Sequence, residues 1–203
     1  MSAVNKTQFD AGLNDQQKRQ AQQKWDQRHQ HGQCAEQPAR VLAEYADLLP
    51  QSGEALDLAS GLGRNARFLV KRALTTHAWD FSPMALTQIE AWSKQTGVNL
   101  HLKCIDLEQD FEFPQQFDVI VVSAFLYRPL LSKLPLALRP NGLLFYQTFS
   151  QTPDLQDQSK LPTNPNFVLK SGELAESFAS LTPLVDSQTP DGQALYIGRR
   201  LSR

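Results

Sequence analysis

The chain is 203 residues long, which suits one large domain, or one domain with an arm, able to bury a substantial core. Its 20 basic and 21 acidic side chains leave a formal net charge of -1, so no overall positive field draws it to nucleic acid or to an anionic membrane. Cys34 and Cys104 lie far apart in sequence, which excludes a disulfide framework and gives no metal-ligand spacing; both read as free thiols, Cys104 in the core, and no metal is expected.

Residues 1–33 are dominated by glutamine and charge, with sparse apolar positions at Val4, Phe9, Leu13 and Trp25. They read as a mobile, partly helical arm, so residues 1–34 form an arm or lid ahead of a domain over residues 35–203. The arm holds no apolar run of signal-peptide or membrane-spanning type, which points to the cytoplasm. Val41, Leu42, Tyr45, Leu48 and Leu49 recur at helical spacing, and Pro50-Gln51-Ser52-Gly53 stops that helix before a first strand over residues 55–59. After Gly61 and Gly63, the positions Ala66, Leu69, Val70, Ala73 and Leu74 form one apolar stripe on a helix.

A second strand is predicted over residues 75–80, and Ser82-Pro83 supplies a cap and a first-turn proline for a helix ending near Gly97. Residues 98–104 alternate apolar and polar, as a strand near a sheet edge does, whereas residues 117–125 are almost continuously apolar and belong in the sheet centre. A helix broken by Pro135 leads to the turn Arg139-Pro140-Asn141-Gly142 and a fifth strand over residues 143–149. Residues 151–166 hold three prolines among mostly polar residues, so the segment 151–170 is a candidate substrate-side loop. Ser171 is expected to cap a helix bearing Leu174, Ala175, Phe178 and Leu181 on one side. Two final strands, near residues 184–187 and 194–199, are joined by Thr189-Pro190-Asp191-Gly192 and so run antiparallel.

The chemistry concentrates at strand ends. Gly61 and Gly63 let a ligand approach the backbone where a helix begins, and Asp57 lies four residues before Gly61. An acid beneath such a turn repels a pyrophosphate but suits an ammonium or a sulfonium. Asp80 ends the second strand, where a carboxylate can accept from two ribose hydroxyls. Asp106 ends the third, beside Leu107, where the pair could meet an adenine edge. A tight turn, a solvated aspartate and a capping aspartate are the plain alternatives, but three acids at successive strand ends would border one crevice.

Leu56-Asp57-Leu58-Ala59-Ser60-Gly61-Leu62-Gly63-Arg64-Asn65, Trp79-Asp80-Phe81-Ser82-Pro83, Ile105-Asp106-Leu107, Phe117-Asp118-Val119-Ile120 and Leu138-Arg139-Pro140-Asn141-Gly142-Leu143-Leu144 resemble, in order, the motifs of class I S-adenosylmethionine-dependent methyltransferases. Trp25-Asp26-Gln27-Arg28-His29, the Gly63-Arg64-Asn65 turn, Asn164-Pro165-Asn166-Phe167 and Ser171-Gly172-Glu173-Leu174 resemble the tellurite-resistance (TehB-like) branch. The resemblance implies a doubly wound α/β fold with a mostly parallel seven-stranded sheet, order 3-2-1-4-5-7-6, strand seven antiparallel. It also implies S-adenosylmethionine as cofactor. Asp57, Ala59, Ser60, Gly61, Gly63 and Asn65 would then hold the methionine part, Asp80 with Phe81 the ribose side, and Asp106 with Leu107 the adenine. Ser123, Ala124 and Phe125 would face the sulfonium and the acceptor. Ala59 stands where many members have the first glycine, and Ser60 where this branch often has cysteine.

The resemblance further implies an enzyme that moves a methyl group to a small molecule by in-line displacement, a reaction in which the protein mainly positions and desolvates. His29, His31 and Tyr127 are the candidates for a base, and Trp25, Arg28, Arg64 and Phe125 for the substrate side. No Asn-Pro-Pro-Tyr-type tetrapeptide follows the fourth strand, which argues against a nucleobase or amide nitrogen as acceptor. Gly61-Leu62-Gly63-Arg64-Asn65-Ala66 also satisfies a loose dinucleotide fingerprint, which keeps a nicotinamide oxidoreductase open, as it does a non-catalytic cofactor-binding protein. Lys71-Arg72 and Arg199-Arg200 are short basic pairs, too little for nucleic-acid binding. No pattern specifies an oligomeric state.

Overall fold

Five strands that each run the same way need a crossover between them, and the alternation of apolar runs with helical stripes supplies it. The computed structural model describes residues 15–151 and 161–202. The strands β1 (Glu54–Leu58), β2 (Thr75–Asp80), β3 (His101–Cys104), β4 (Phe117–Ser123), β5 (Leu138–Phe149), β6 (Thr182–Thr189) and β7 (Gln193–Arg199) form one sheet in the order β3-β2-β1-β4-β5-β7-β6. The pairings among β1 to β5 are parallel, and β7 is antiparallel to β5 and β6. This is the doubly wound order expected from the sequence.

The helices are α1 (Asp15–Gln30), α2 (Arg40–Glu44), α3 (Arg64–Val70), α4 (Pro83–Thr96), α5 (Arg128–Leu131) and α6 (Glu173–Ser177). Alternate residues of the central strands feed two cores. Leu56, Leu58, Ile120, Val122 and Tyr146 pack with Leu130, Leu134 and Phe178 on the α5 and α6 face. Ala55, Val119, Val121 and Phe145 pack with Val41, Leu42 and Leu69 on the α2 and α3 face. A strand covered on both sides has no water-facing positions, which is why the sequence of β4 is so continuously apolar.

Several boundaries differ from the sequence reading for local reasons. Asn141 adopts a left-handed φ of 65°, and its N–H donates to the carbonyl of Arg200 at 2.7 Å, so residues 139–142 bulge within β5 instead of preceding it. The cap of α6 is Gly172, at φ 76°, and not Ser171; the expected apolar face survives, with Leu174 and Phe178 buried. Cys104 is exposed, contrary to its assignment to the core, because it ends the edge strand β3, which pairs with β2 alone. Residues 152–160 of the proline-bearing segment and residues 1–14 of the arm lie outside the described residues. Among the described residues no helix is long and apolar enough to cross a membrane.

Gly63 sets the start of α3. Its φ is 80°, and a Cβ built there would meet the Ile89 side chain of α4 at 2.8 Å. Gly63→Ala combines left-handed strain with overpacking, and should lower stability by about 2 to 4 kcal/mol in urea unfolding. An unchanged midpoint would mean that the glycine is not required by the helix contact.

Candidate cofactor and acceptor crevice

Asp57 is the second-last residue of β1 and is completely buried. Its Oδ2 accepts from the backbone N–H of Ala66 at 2.9 Å and its Oδ1 from Asn65 Nδ2 at 3.2 Å. Asn65 Nδ2 also donates to Ser123 Oγ at 3.0 Å at the end of β4, while Asn65 Oδ1 accepts from the backbone N–H of Ala39 at 2.8 Å. One amide therefore ties β1, β4, the first turn of α3 and the segment before α2. Burial pushes the Asp57 carboxyl up to about 7, against the pull of Asn65, Ala66 and the Arg64 charge.

Above this anchor runs the turn. Ala59, Gly61 and Gly63 take φ of 54°, 52° and 80°, so Ala59 holds a left-handed conformation that glycine adopts more readily. Ser60 N–H donates to the Trp79 carbonyl at 3.0 Å. Asp80 ends β2 with both oxygens aimed into the corner: Oδ2 accepts from Gly61 N–H at 2.7 Å and Oδ1 from Ser82 N–H at 2.8 Å. Asp106, by contrast, lies beyond the end of β3, and its Oδ1 accepts from Glu108 N–H at 3.0 Å in an Asx turn. Leu107 is buried in the core, and Phe81 is half-buried.

Helix α1 lies over this corner, so the polar arm forms a docked helix across residues 15–30. It buries no residue and is held by side-chain hydrogen bonds instead. Gln22 Nε2 donates to the Phe81 carbonyl at 3.0 Å, and Gln88 Nε2 to the His29 carbonyl at 2.7 Å. Asp26 Oδ1 accepts from Ser82 Oγ at 2.5 Å and from Met84 N–H at 3.3 Å, adding a second cap to α4. Lys18 Nζ reaches Gln109 Oε1 at 3.0 Å, beyond Asp106. Gln22, Asp26 and Gln88 escaped the sequence reading because polar docking leaves no apolar stripe; only the Trp25–His29 motif hinted at it.

His29 ends close to the glycines, its Nε2 3.6 Å from where a Cβ of Gly61 would stand. Burial lowers its pKa, with Arg28 adding to that and Asp80 and Asp26 opposing it, so the imidazole is neutral near neutral pH. It stacks on Trp25 at 5.7 Å, and Arg28 lies 5.1 Å from the same ring. His31 is exposed, and the Tyr127 hydroxyl donates to the Glu108 carbonyl at 3.1 Å. Phe125 packs against the core, and its carbonyl accepts from the buried Tyr146 hydroxyl at 2.8 Å. Arg64 turns into a separate groove beside Arg67 and Trp92. Ala124, like Ala59, is left-handed, at φ 54°, so neighbouring strands β1 and β4 both end in a strained alanine.

Two polar atoms of this corner are buried without a partner among the described residues, Ser60 Oγ and His29 Nδ1. A ligand seated over Gly61 would satisfy donors and acceptors that the protein leaves open. With Asp80 beside them, these groups fit a polar nucleoside bearing an amino-acid tail.

Residues 55–142 match the family model described as methyltransferase domain. That matched stretch, somewhat under half of the chain, is similar to the family. Solved structures share the fold: TehB from Haemophilus influenzae (16% identity, TM-score 0.67) is covered over 62% of its length by 80% of this chain. A methyltransferase from Methanosarcina mazei (16%, TM-score 0.64) is covered completely by 82% of this chain. Magnesium protoporphyrin IX methyltransferase from Synechocystis, solved with S-adenosylhomocysteine bound (14%, TM-score 0.63), is covered over 90% by 94% of this chain. The chain thus spans less than two thirds of the TehB chain. No curated protein sequence matches it.

The structure carries one further clamp that the sequence reading missed. Arg128 Nε donates to Glu173 Oε1 at 2.6 Å and Nη2 to Glu173 Oε2 at 3.0 Å, while Nη1 and Nη2 reach the carbonyls of Asn166 and Val168 at 2.9 and 3.1 Å. A planar fork is needed for such a set, and lysine cannot replace it. Arg128→Lys should therefore raise amide hydrogen exchange across residues 166–173 while leaving the β1 and β4 amides protected. Unchanged exchange there would show that the clamp does not hold the segment.

The Asp57 carboxyl gives a pH test. Its folded pKa of about 7 lies above the unfolded value of 3.8, so the folded state binds the proton more tightly. Its contribution is fully present below the unfolded value and is lost as pH rises through the folded one. Relative to Asp57→Asn, the wild-type domain should lose about 3 kcal/mol of unfolding free energy between about pH 4 and pH 7. A pH-independent difference between the two proteins would refute the raised pKa.

Proposed function

We propose that this protein transfers the methyl group of S-adenosylmethionine to a small-molecule acceptor by in-line displacement. The observation that carries the reading is the corner in which Asp80 braces Gly61 while Ser60 Oγ lies buried and unpartnered. Asp80 holds the ribose hydroxyls with the acceptor capacity its backbone bonds leave, and the Ser60 hydroxyl and the turn amides hold the methionine part. Asp57 and Asn65 act beneath the turn by fixing its backbone. Leu107 packs on the adenine side, and Asp106 frames the same side from its Asx turn.

When bound, S-adenosylmethionine supplies an activated methyl group on a sulfonium leaving group. The residues of the chain align and desolvate: orientation alone is worth roughly 7 to 11 kcal/mol of barrier in such reactions. Ser123 and Phe125, at and just beyond the end of β4, face the acceptor, and α1 excludes water from the adenosyl side. His29, uncharged and poised over the turn, takes the acceptor proton where the acceptor arrives protonated. The near-neutral net charge of -1 favours a small acceptor over a nucleic acid.

Calorimetry with S-adenosylhomocysteine tests the cofactor reading. Asp80→Ala should weaken binding by about 2 kcal/mol, near thirtyfold. Turnover, read as S-adenosylhomocysteine release across thiol, hydroxyl and oxyanion acceptors, tests the reaction. Equal affinity in the variant, or no binding by the wild type, would remove the assignment.

A further inference from the structure

We infer that a second ligand site lies outside the crevice, in the groove between α3 and α4, and that it takes a small, multiply charged oxyanion such as a diphosphate. The groove, of about 360 Å³, is lined by Arg64, Arg67, Lys71, Trp92, Cys34 and Glu36. Its size falls in the roughly 300 to 1,000 Å³ range of small-molecule sites.

Arg64, Arg67 and Lys71 sit at i, i+3 and i+7, which stacks three cations on one face of α3 and its last turn. Like charges at that spacing repel, and among the described residues none of the three has a carboxylate within ion-pair distance. Glu36 is the one acid of the groove lining, set against three positive side chains. The chain as a whole carries a net charge of -1, so the concentration of positive charge here is local and not a by-product of a basic protein.

The cations are also held in place. The Arg67 guanidinium lies 4.8 Å from the Trp92 ring centre and the Lys71 ammonium 6.0 Å. Arg67 Nε is buried without a hydrogen-bond partner, although a buried guanidinium N–H is normally satisfied. Burial pushes the Cys34 thiol pKa up, and the nearby Arg67 and Arg64 charges oppose that rise. A solvated charged face leaves its side chains free to spread; this one stacks two on an aromatic and aims them into a recess. An anion with several oxygens would satisfy the open donors bidentately and relieve the repulsion.

The test is a titration of the full chain with inorganic pyrophosphate at constant ionic strength, read by Trp92 fluorescence and by calorimetry. A saturable signal is expected, absent from the fluorescence of Trp92→Phe, with affinity at least tenfold weaker in both Arg67→Met and Lys71→Met. Affinity for S-adenosylhomocysteine should stay unchanged in those variants, which separates this site from the cofactor crevice; Lys71 is exposed, so its variant retains the fold. A response reproduced by potassium chloride, or undiminished in both variants, would overturn the proposal. So would an oligoribonucleotide that displaces pyrophosphate with an affinity growing with its length, since the groove would then read a nucleic-acid backbone.

Discussion

A carboxylate with no access to water holds this structure together at its working end. Asp57 is completely buried, and an isolated charge there would be intolerable without the Ala66 N–H and the Asn65 amide turned toward it. Because Asn65 spends its remaining hydrogen bonds on Ser123 and Ala39, the same contact fixes where β1 and β4 stop and where α3 starts. The turn between them can then hold Ala59 in a left-handed conformation that an alanine would not adopt alone, at a strain of about 1 to 2 kcal/mol. Asp80, bonded to the Gly61 and Ser82 amides, and the buried, unpartnered Ser60 hydroxyl lie at the same corner.

The cover over that corner is held by a different kind of force. Helix α1 buries no side chain and docks through Gln22 and Asp26 onto the Phe81 carbonyl, the Ser82 hydroxyl and the Met84 amide, while Gln88 of α4 donates to the His29 carbonyl of α1. Each such bond contributes on the order of 1 kcal/mol net. The opposite flank is stiffer, because Arg128 binds Glu173 and two carbonyls of residues 166–168 at once. The two flanks of the crevice are thus held by contacts of different kinds.

Electrostatics divides the molecule in the same way. The near-neutral chain gathers Asp57 and Asp80 at the strand ends and three cations on the outer side of α3. The first set is what the proposed sulfonium cofactor would meet, the second what the proposed oxyanion would meet. Arg64 links them, since it begins the helix that Asp57 anchors and its charge reaches that carboxyl.

Much of this was legible in the residue order. The continuous apolar run of β4, the glycine turn, the Ser82-Pro83 cap and the final hairpin are set by contacts within a few residues or by burial on both sheet faces, so periodicity alone specifies the elements, and the family's motifs carried their order. What the tertiary structure decided were the features that depend on neighbours distant in sequence. Cys104 is exposed because β3 has one partner, and Asp106 turns on its own backbone because that strand ends two residues earlier. Asn65 becomes a hub, and Gln22, Asp26 and Arg128 become docking residues, only when β4, the end of β2 and residues 166–173 are brought beside them. Sequence spacing fixes which face of an element is apolar; which polar groups meet across the crevice is fixed by packing, because a hydrogen bond is a matter of ångströms between atoms that the chain order leaves far apart.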